Sequence, residues 1–314
     1  MRITGRILKK RQIIDYILIS TILLVGIFIL YGKGILGGEV IVPGDIPYNT
    51  PVWQGTAPKI EYYSAQNYLL SDQVCMFYAW HYMAFESIKK SGSIPYWNPY
   101  EFTGQPLIAN AQSSLFYPPN LLLHFFKPGT VATFRAIFNM LIAGIFTFLF
   151  CRIIGISRYG SILASIAFTF SGPLTVWLGY PLINVFVWIP FMLWAAENLI
   201  LSINKTLWAF ITGIGIGASI LGGHPETTFH VLGTYLLYLI LRVYFKNKNA
   251  INRKRILSGF LLAVIIGGLL GSIQLLPFTD FLLDSATLSS GGRSNIDQNI
   301  LYGKNWYKEV LSAV

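Results

Sequence analysis

The sequence predicts an all-α polytopic membrane protein, with about seven transmembrane helices and one long outer loop between the first two. Three observations carry that prediction. Only 11% of the 314 residues are charged, against roughly 25% in a soluble domain. The mean hydropathy is +0.56. The apolar residues gather into seven runs, each near the ~20 residues that a bilayer crossing needs.

The runs fall at 13–31, 132–153, 160–178, 182–201, 207–222, 229–245 and 257–276, the fifth and sixth being short. The first follows MRITGRILKKRQ, which carries Arg2, Arg6, Lys9, Lys10 and Arg11. The run is long and no small-residue cleavage site follows, so it reads as an uncleaved anchor rather than a signal peptide. With this end inside, the inner loops hold Arg152, Arg158, Lys205, Arg242, Lys246, Lys248, Arg253, Lys254 and Arg255. Together these make 14 of the 23 Lys and Arg residues inside, the bias that sets orientation. The same placement explains the net charge of +10 without a nucleic-acid partner. Of the 13 acids, 11 fall outside, either because chemistry sits there or because outer loops need solubility. Cys75 is expected outside and Cys151 at the inner end of a span, so the two cannot pair. The Gly-rich GIGIGASILGG at 213–223 lies in a span with no preceding strand, so it reads as small-residue helix packing rather than a nucleotide loop.

The outer loop, 32–131, is the most informative segment. Residues 59–90 read as one or two amphipathic helices, with Val74, Phe77, Tyr78, His81 and Met83 to Phe85 on one stripe. Ser71 or Asp72 starts the second helix, and Lys89, Lys90 and Gly92 stop it. Trp80, Tyr78 and Tyr82 suit the membrane interface. From Ser91 to Asn120 the chain is rich in proline, amides and aromatics. Proline excludes a continuous helix. Amide side chains beside flat rings make a sugar-binding surface, because sugars present hydroxyls on their edges and C–H groups on their faces. Interfacial anchoring explains the rings equally well.

Asp72, the PYWNP run at 95–99 and the GQPL–AN–QSSLFYPPNLL run from Gly104 to Leu123 resemble the YfhO-like bacterial membrane proteins. LGYPLINVFVWIPFMLWAAENLI at 178–200, GGHPETTFHVL at 222–232 and IQLLPFTDFLLDS at 273–285 agree with it. The resemblance implies a glycosyltransferase of the GT-C class in the bacterial cell membrane, with its active site on the outer face. Its donor would be a polyprenyl-phosphate sugar and its acceptor an envelope polymer or protein. The catalytic carboxylate of that class lies in the first outer loop, where Asp72 sits, and some members use a divalent metal. Family members are longer, so this chain is expected to be an N-terminal portion. It would form one transmembrane domain over 1–314, with an outer segment at 277–314.

A lipid-phosphate donor brings its own leaving group, so the enzyme needs a base for the acceptor hydroxyl and a group that holds the phosphate. Asp72 is the candidate base, with helix capping as its structural alternative. Asp45, in VPGDIPYN, is the rival and fits a turn better. Gln73, Trp97, Asn98, Gln105, Asn110 and Gln112 are candidate sugar or acceptor contacts, although loop amides also satisfy backbone groups. Arg135, near the outer end of the second span, is a candidate phosphate contact or a snorkelling side chain. His224 and Glu226 form a second outer pair. Pro225 and Glu226 also suit a helix start. Arg293 is a further candidate phosphate contact. Two rival readings remain: a transporter or lipid-handling protein, and a non-catalytic envelope-assembly scaffold. A transporter should carry polar groups near mid-membrane, whereas the polar residues here collect at the outer ends.

Overall fold

The computed structural model describes residues 2–49, 51–54, 67–101, 103–246 and 250–283. Arg293, Phe102, residues 59–66 and the outer segment beyond Leu283 lie outside them. The described chain is helical, with a single two-stranded hairpin. Five segments are long and apolar enough to cross a membrane: Ile13–Leu36, Pro128–Ile153, Pro181–Leu201, Pro225–Phe245 and Ile251–Leu283. The first lies in α1 (Arg2–Leu36) and the second is α4 (Pro128–Ile153). The third combines α7 (Pro181–Phe186) and α8 (Ile189–Leu201). The last two lie in α10 (Pro225–Lys246) and α11 (Ala250–Leu283).

The other two apolar runs take different forms. The run at 207–222 becomes α9 (Lys205–Leu221), a helix of 17 residues. The run at 160–178 is divided into α5 (Arg158–Thr169, 12 residues) and α6 (Gly172–Val176, five residues). Ser171 is extended between them and Pro173 sits in the first turn of α6. Pro173 lacks the N–H that would continue the α5 ladder, and its fixed φ suits the first turn of the new helix.

The central element is the α7–α8 unit, whose span window is 67% buried, whereas that of α1 is 17% buried and faces outward. Met140 and Ala143 of α4 pack with Met192, Ala195, Ala196 and Leu199 of α8. Helices α9 and α11 interlock through glycine. A Cβ on Gly213 would fall 2.6 Å from Ile266, on Gly217 2.8 Å from Leu270, on Gly267 2.4 Å from Ile216 and on Gly271 2.7 Å from Ile220. Small residues on both helices let the backbones approach, as expected for packing in lipid.

Two acids fall outside the outer-loop set, and each is held by an arginine. Asp15 pairs with Arg158 at 2.7 Å, tying α1 to α5. Glu197, fully buried on α8, pairs with Arg242 on α10 and accepts from Tyr238 at 2.6 Å. Arg158 and Arg242 therefore hold helices together in addition to any part they play in orientation. Cys75 is exposed, Cys151 is buried, and both are free.

The loop between α1 and α4 is folded. After the short α2 (Pro51–Gln54), the described chain resumes at a 3-10 turn over Tyr68–Leu70 and a π-helical segment over Gln73–Tyr78. Helix α3 (Ala79–Ser91) follows, and Gly92 ends it in the left-handed region at φ 73°. Strands β1 (Trp97–Asn98) and β2 (Gln105–Pro106) pair antiparallel. Gly104, at φ +114°, lets the turn pass under Trp97, whose ring would lie 2.6 Å from a Cβ there. The loop has its own core, in which Phe77, Trp80, Ala84, Leu107, Leu115 and Leu123 pack against Val131 and Tyr180. Trp80 is thus an interior residue rather than an interfacial one: it is buried and donates to Glu101 at 2.9 Å. Tyr82 does remain exposed.

Candidate functional site

A buried polar network joins the loop to the helices. Arg135, on α4, is 4% exposed. Its Nη1 donates to Asn120 Oδ1 at 3.0 Å and to His81 Nδ1 at 3.3 Å, and its Nη2 reaches the Gly179 carbonyl at 3.5 Å. His81 Nε2 donates to the Ser113 carbonyl at 3.0 Å. Since a carbonyl only accepts, the ring proton sits on Nε2 and Nδ1 is the acceptor for Arg135. Burial and the adjacent Arg135 push the His81 pKa down to about 3. Deeper in, Tyr117 donates to Asn139 at 2.7 Å, and Asn139 donates to Asn184 at 2.9 Å. Asn184 donates to the Gly222 carbonyl at 3.3 Å. Burial raises the Tyr117 phenol. Asn120, Asn139 and Asn184 were not singled out from the sequence, and His81 entered only as part of the amphipathic stripe. The two asparagines inside apolar spans were the available signal, because polar side chains there need partners.

On one side of this network lies a cavity of about 760 Å³. Its apolar wall is the end of α1, including Phe28, Ile29 and Leu30. Ile29 is 75% exposed, so this wall continues onto the outward surface of the bundle. Lys33, Glu39, Gln73 and Thr175 supply its polar groups. The backbone of α1 leaves helical geometry at Tyr31 (φ −125°), also on the wall. The floor is pinned at Ile41, whose N–H donates to Thr133 at 3.3 Å and whose carbonyl accepts from Gln73 at 3.4 Å. Gly179 lines the cavity and touches Gln73 so closely that a Cβ would fall 1.8 Å from its Nε2. Arg135 is therefore one residue behind the wall.

Asp72 lies at the edge of this cavity, between the lining residues Leu70 and Gln73. It has helical backbone angles (φ −60°, ψ −29°) and makes no side-chain cap, so the capping alternative does not describe it. It is exposed, and among the described residues its carboxylate has no hydrogen-bond partner. Tyr180 is near enough that the Asp72 charge raises its phenol, in addition to the larger effect of burial. The π-helical segment begins one residue after Asp72. Such segments are rare and frequent at functional sites. Asp45 instead sits at a turn, where its carbonyl accepts from Tyr48 at 3.2 Å.

A second cavity, of about 450 Å³, collects Gln105, Asn110, Gln112, His224 and Glu226. His224 Nδ1 accepts from the Thr227 N–H at 3.2 Å, which leaves the proton on Nε2. Burial lowers the His224 pKa, against a smaller upward effect of Glu226. The turn carrying His224 is fitted to the loop at Gly223 (φ +88°), where a Cβ would meet Ser114 Cβ at 2.6 Å and the Ala111 carbonyl at 2.7 Å. A divalent ion would find only His224 and Glu226 here. Among the described residues, no group of three or more His, Cys, Asp or Glu comes together.

The candidate residues are thus divided. Gln73 belongs to the first cavity, and five others share the second. Asn98 is buried and accepts from the Tyr100 N–H at 3.0 Å, which makes it a hairpin residue rather than a surface contact. Trp97 is exposed on the hairpin, packed over Gly104. Arg135 is enclosed by neutral acceptors, so its charge reaches the first cavity through the wall. Comparisons with protein-family models, curated proteins and solved structures find no match to this chain.

Proposed function

We propose that the chain is a YfhO-like membrane glycosyltransferase of the GT-C class, with seven membrane-inserted helical segments, a cytoplasmic N-terminus and its site on the outer face of a bacterial cell membrane. It transfers a sugar from a polyprenyl-phosphate carrier to an envelope polymer or protein. The observation that supports this reading is the two-sided cavity beside Asp72. Its apolar wall on α1 is continuous with a surface that lipid would cover, and its polar lining offers Lys33, Gln73 and Thr175, with Glu39 as the one acid, to which Lys33 is the counter-charge. An amphiphile with an isoprenoid tail and a phosphate fits that division of chemistry.

In this reading the tail lies along Phe28, Ile29 and Leu30. Lys33 meets the phosphate and Arg135 adds its charge from behind Gly179. Asp72, unpartnered, takes the proton of the acceptor hydroxyl as that oxygen attacks the anomeric carbon. The bond from the anomeric carbon to the phosphate oxygen breaks, and polyprenyl phosphate leaves. The same cavity would serve a lipid-handling protein without transfer, so the test must read the sugar itself.

Wild type, Asp72→Asn and Asp72→Ala are compared at equal membrane abundance in cells lacking the native gene, with envelope sugar content as the readout. The expected result is restoration by wild type and a loss of transfer of roughly 10²–10⁴-fold in both variants, the range for a removed general base. Full transfer by the variants removes Asp72 from the mechanism. No difference between wild type and empty cells moves the cavity to lipid handling or scaffolding.

A further inference from the structure

We infer that the second cavity is a separate carbohydrate site, which takes a neutral oligosaccharide segment of the acceptor and not the lipid-linked donor. This rests on the transferase reading for the word acceptor; the site itself rests on geometry. The two cavities share no lining residue. Between them runs a wall of buried groups: Gly179 to Arg135, Arg135 to Asn120, and Asn120 to the Ser114 carbonyl at 2.8 Å. Ser114 in turn packs on Gly223, next to His224. No ligand passes through that wall, so a short glycan at His224 binds independently of what binds beside Gln73, and a longer acceptor that engages both must run over the wall's outer edge.

The lining selects the ligand class. Glu226 is its only charged side chain, and no Lys or Arg is present, so a phosphate or carboxylate would meet repulsion instead of a counter-charge. Burial disfavours the charged imidazole of His224, against a smaller upward effect of Glu226, which reinforces this. Metal ligands are too few. What remains is a mixed set of hydrogen-bonding groups. The side chains of Gln112 and Glu226, and His224 Nε2, have no hydrogen-bond partner among the described residues. Asn110 accepts the Gln112 N–H through Oδ1, leaving its NH₂ to donate. The set holds both donors and acceptors, as sugar hydroxyls require, since each hydroxyl both donates and accepts. Phe278 and Phe281 of α11 also line the cavity and add apolar surface that suits sugar C–H groups.

This part of the lining is held in place and sits in the right region. Gln274, one turn before Phe278, is buried and donates to the Ile108 carbonyl at 2.8 Å, fixing α11 to the loop. Helix α11 has 34 residues, roughly 50 Å of helix, against a hydrocarbon core of ~30 Å. Its apolar run ends at 276 and Asp280 follows, so the last turns fall beyond the lipid in this reading, where a water-soluble glycan can reach them.

The purified full chain in detergent micelles is titrated with chitotriose, maltotriose and mannotriose, and binding is read by saturation-transfer NMR. At least one trisaccharide should bind saturably. Gln112→Ala and Glu226→Ala should each weaken it tenfold or more, while Asp72→Asn leaves it unchanged. Gln112 and Glu226 are exposed, so truncation should leave the fold intact, and unaltered thermal unfolding checks this. Absence of saturable binding of all three sugars, or equal binding by the Gln112 and Glu226 variants, overturns the inference. So does competition by inorganic phosphate. Binding that needs Glu226, in a protein that restores no envelope sugar, keeps this site and removes the transferase. Transfer that needs Asp72 but neither Gln112 nor Glu226, with binding unaltered in both variants, keeps the transferase and removes this site.

Discussion

At the residue scale, the buried His81–Arg135 contact has a consequence for pH. A histidine that cannot take a proton in the folded state, but takes one at about pH 6.5 when unfolded, makes the unfolded state the better proton binder in acid. Stability is then fully present above pH 6.5 and is lost as pH falls toward about 3. The slope from one such group is at most ~1.4 kcal/mol per pH unit. His81→Gln retains a donor for Ser113 and an acceptor for Arg135 but does not titrate. Thermal unfolding of both proteins in micelles between pH 7.5 and 5 should show a falling Tm for wild type and a flatter profile for the variant. Parallel profiles would mean that His81 is protonated in the fold and the Arg135 contact is not as drawn. Little of this was legible beforehand. The stripe through Phe77 and His81 marked a buried face, but no spacing rule pairs residue 81 with residue 135, because the loop fold brings them together. Asp72 was legible as a carboxylate in the first loop. That its side chain caps nothing became visible only in the structure, where it makes no cap hydrogen bond.

At the element scale, the interface of α9 and α11 can be checked directly. Gly217 and Gly267 face a side chain on the opposite helix at under 3 Å from a would-be Cβ, so added bulk must separate the helices. Gly217→Leu and Gly267→Val should each destabilise by about 1–3 kcal/mol, the usual cost of overpacking. Gly233, around which nothing lies within 4 Å, is the control, and Gly233→Ala should cost nothing measurable. Denaturant unfolding in mixed micelles reads the difference. Equal stability of all three would dissolve the glycine interface. The small-residue pattern at 213–223 made this packing legible, since glycine in an apolar run has few other uses. The break of the third apolar run was legible in principle from Ser171-Gly172-Pro173. Hydropathy passes over it, because those three residues lower a 19-residue average very little, while one proline ends the helix.

At the scale of the whole molecule, the division into apolar spans and a polar loop followed from composition, since lipid and water sort side chains without reference to contacts. The split of the candidate residues into two cavities did not, because neighbours in the loop sequence such as Gln73 and Gln105 are sent to opposite sides of one buried wall. Orientation follows from charge bias. In the structure Arg158 and Arg242 are committed to Asp15 and Glu197, which lessens their weight as free determinants. The two cysteines offer a direct test, since Cys75 is exposed on the loop and Cys151 is buried at the far end of α4. A membrane-impermeant maleimide added to intact cells should label the chain once. Cys75→Ser should abolish that label and Cys151→Ser should leave it. Labelling of Cys75 only after the membrane is opened would place the loop inside. It would also put both cavities on the cytoplasmic side, where the outer-face transferase could not work.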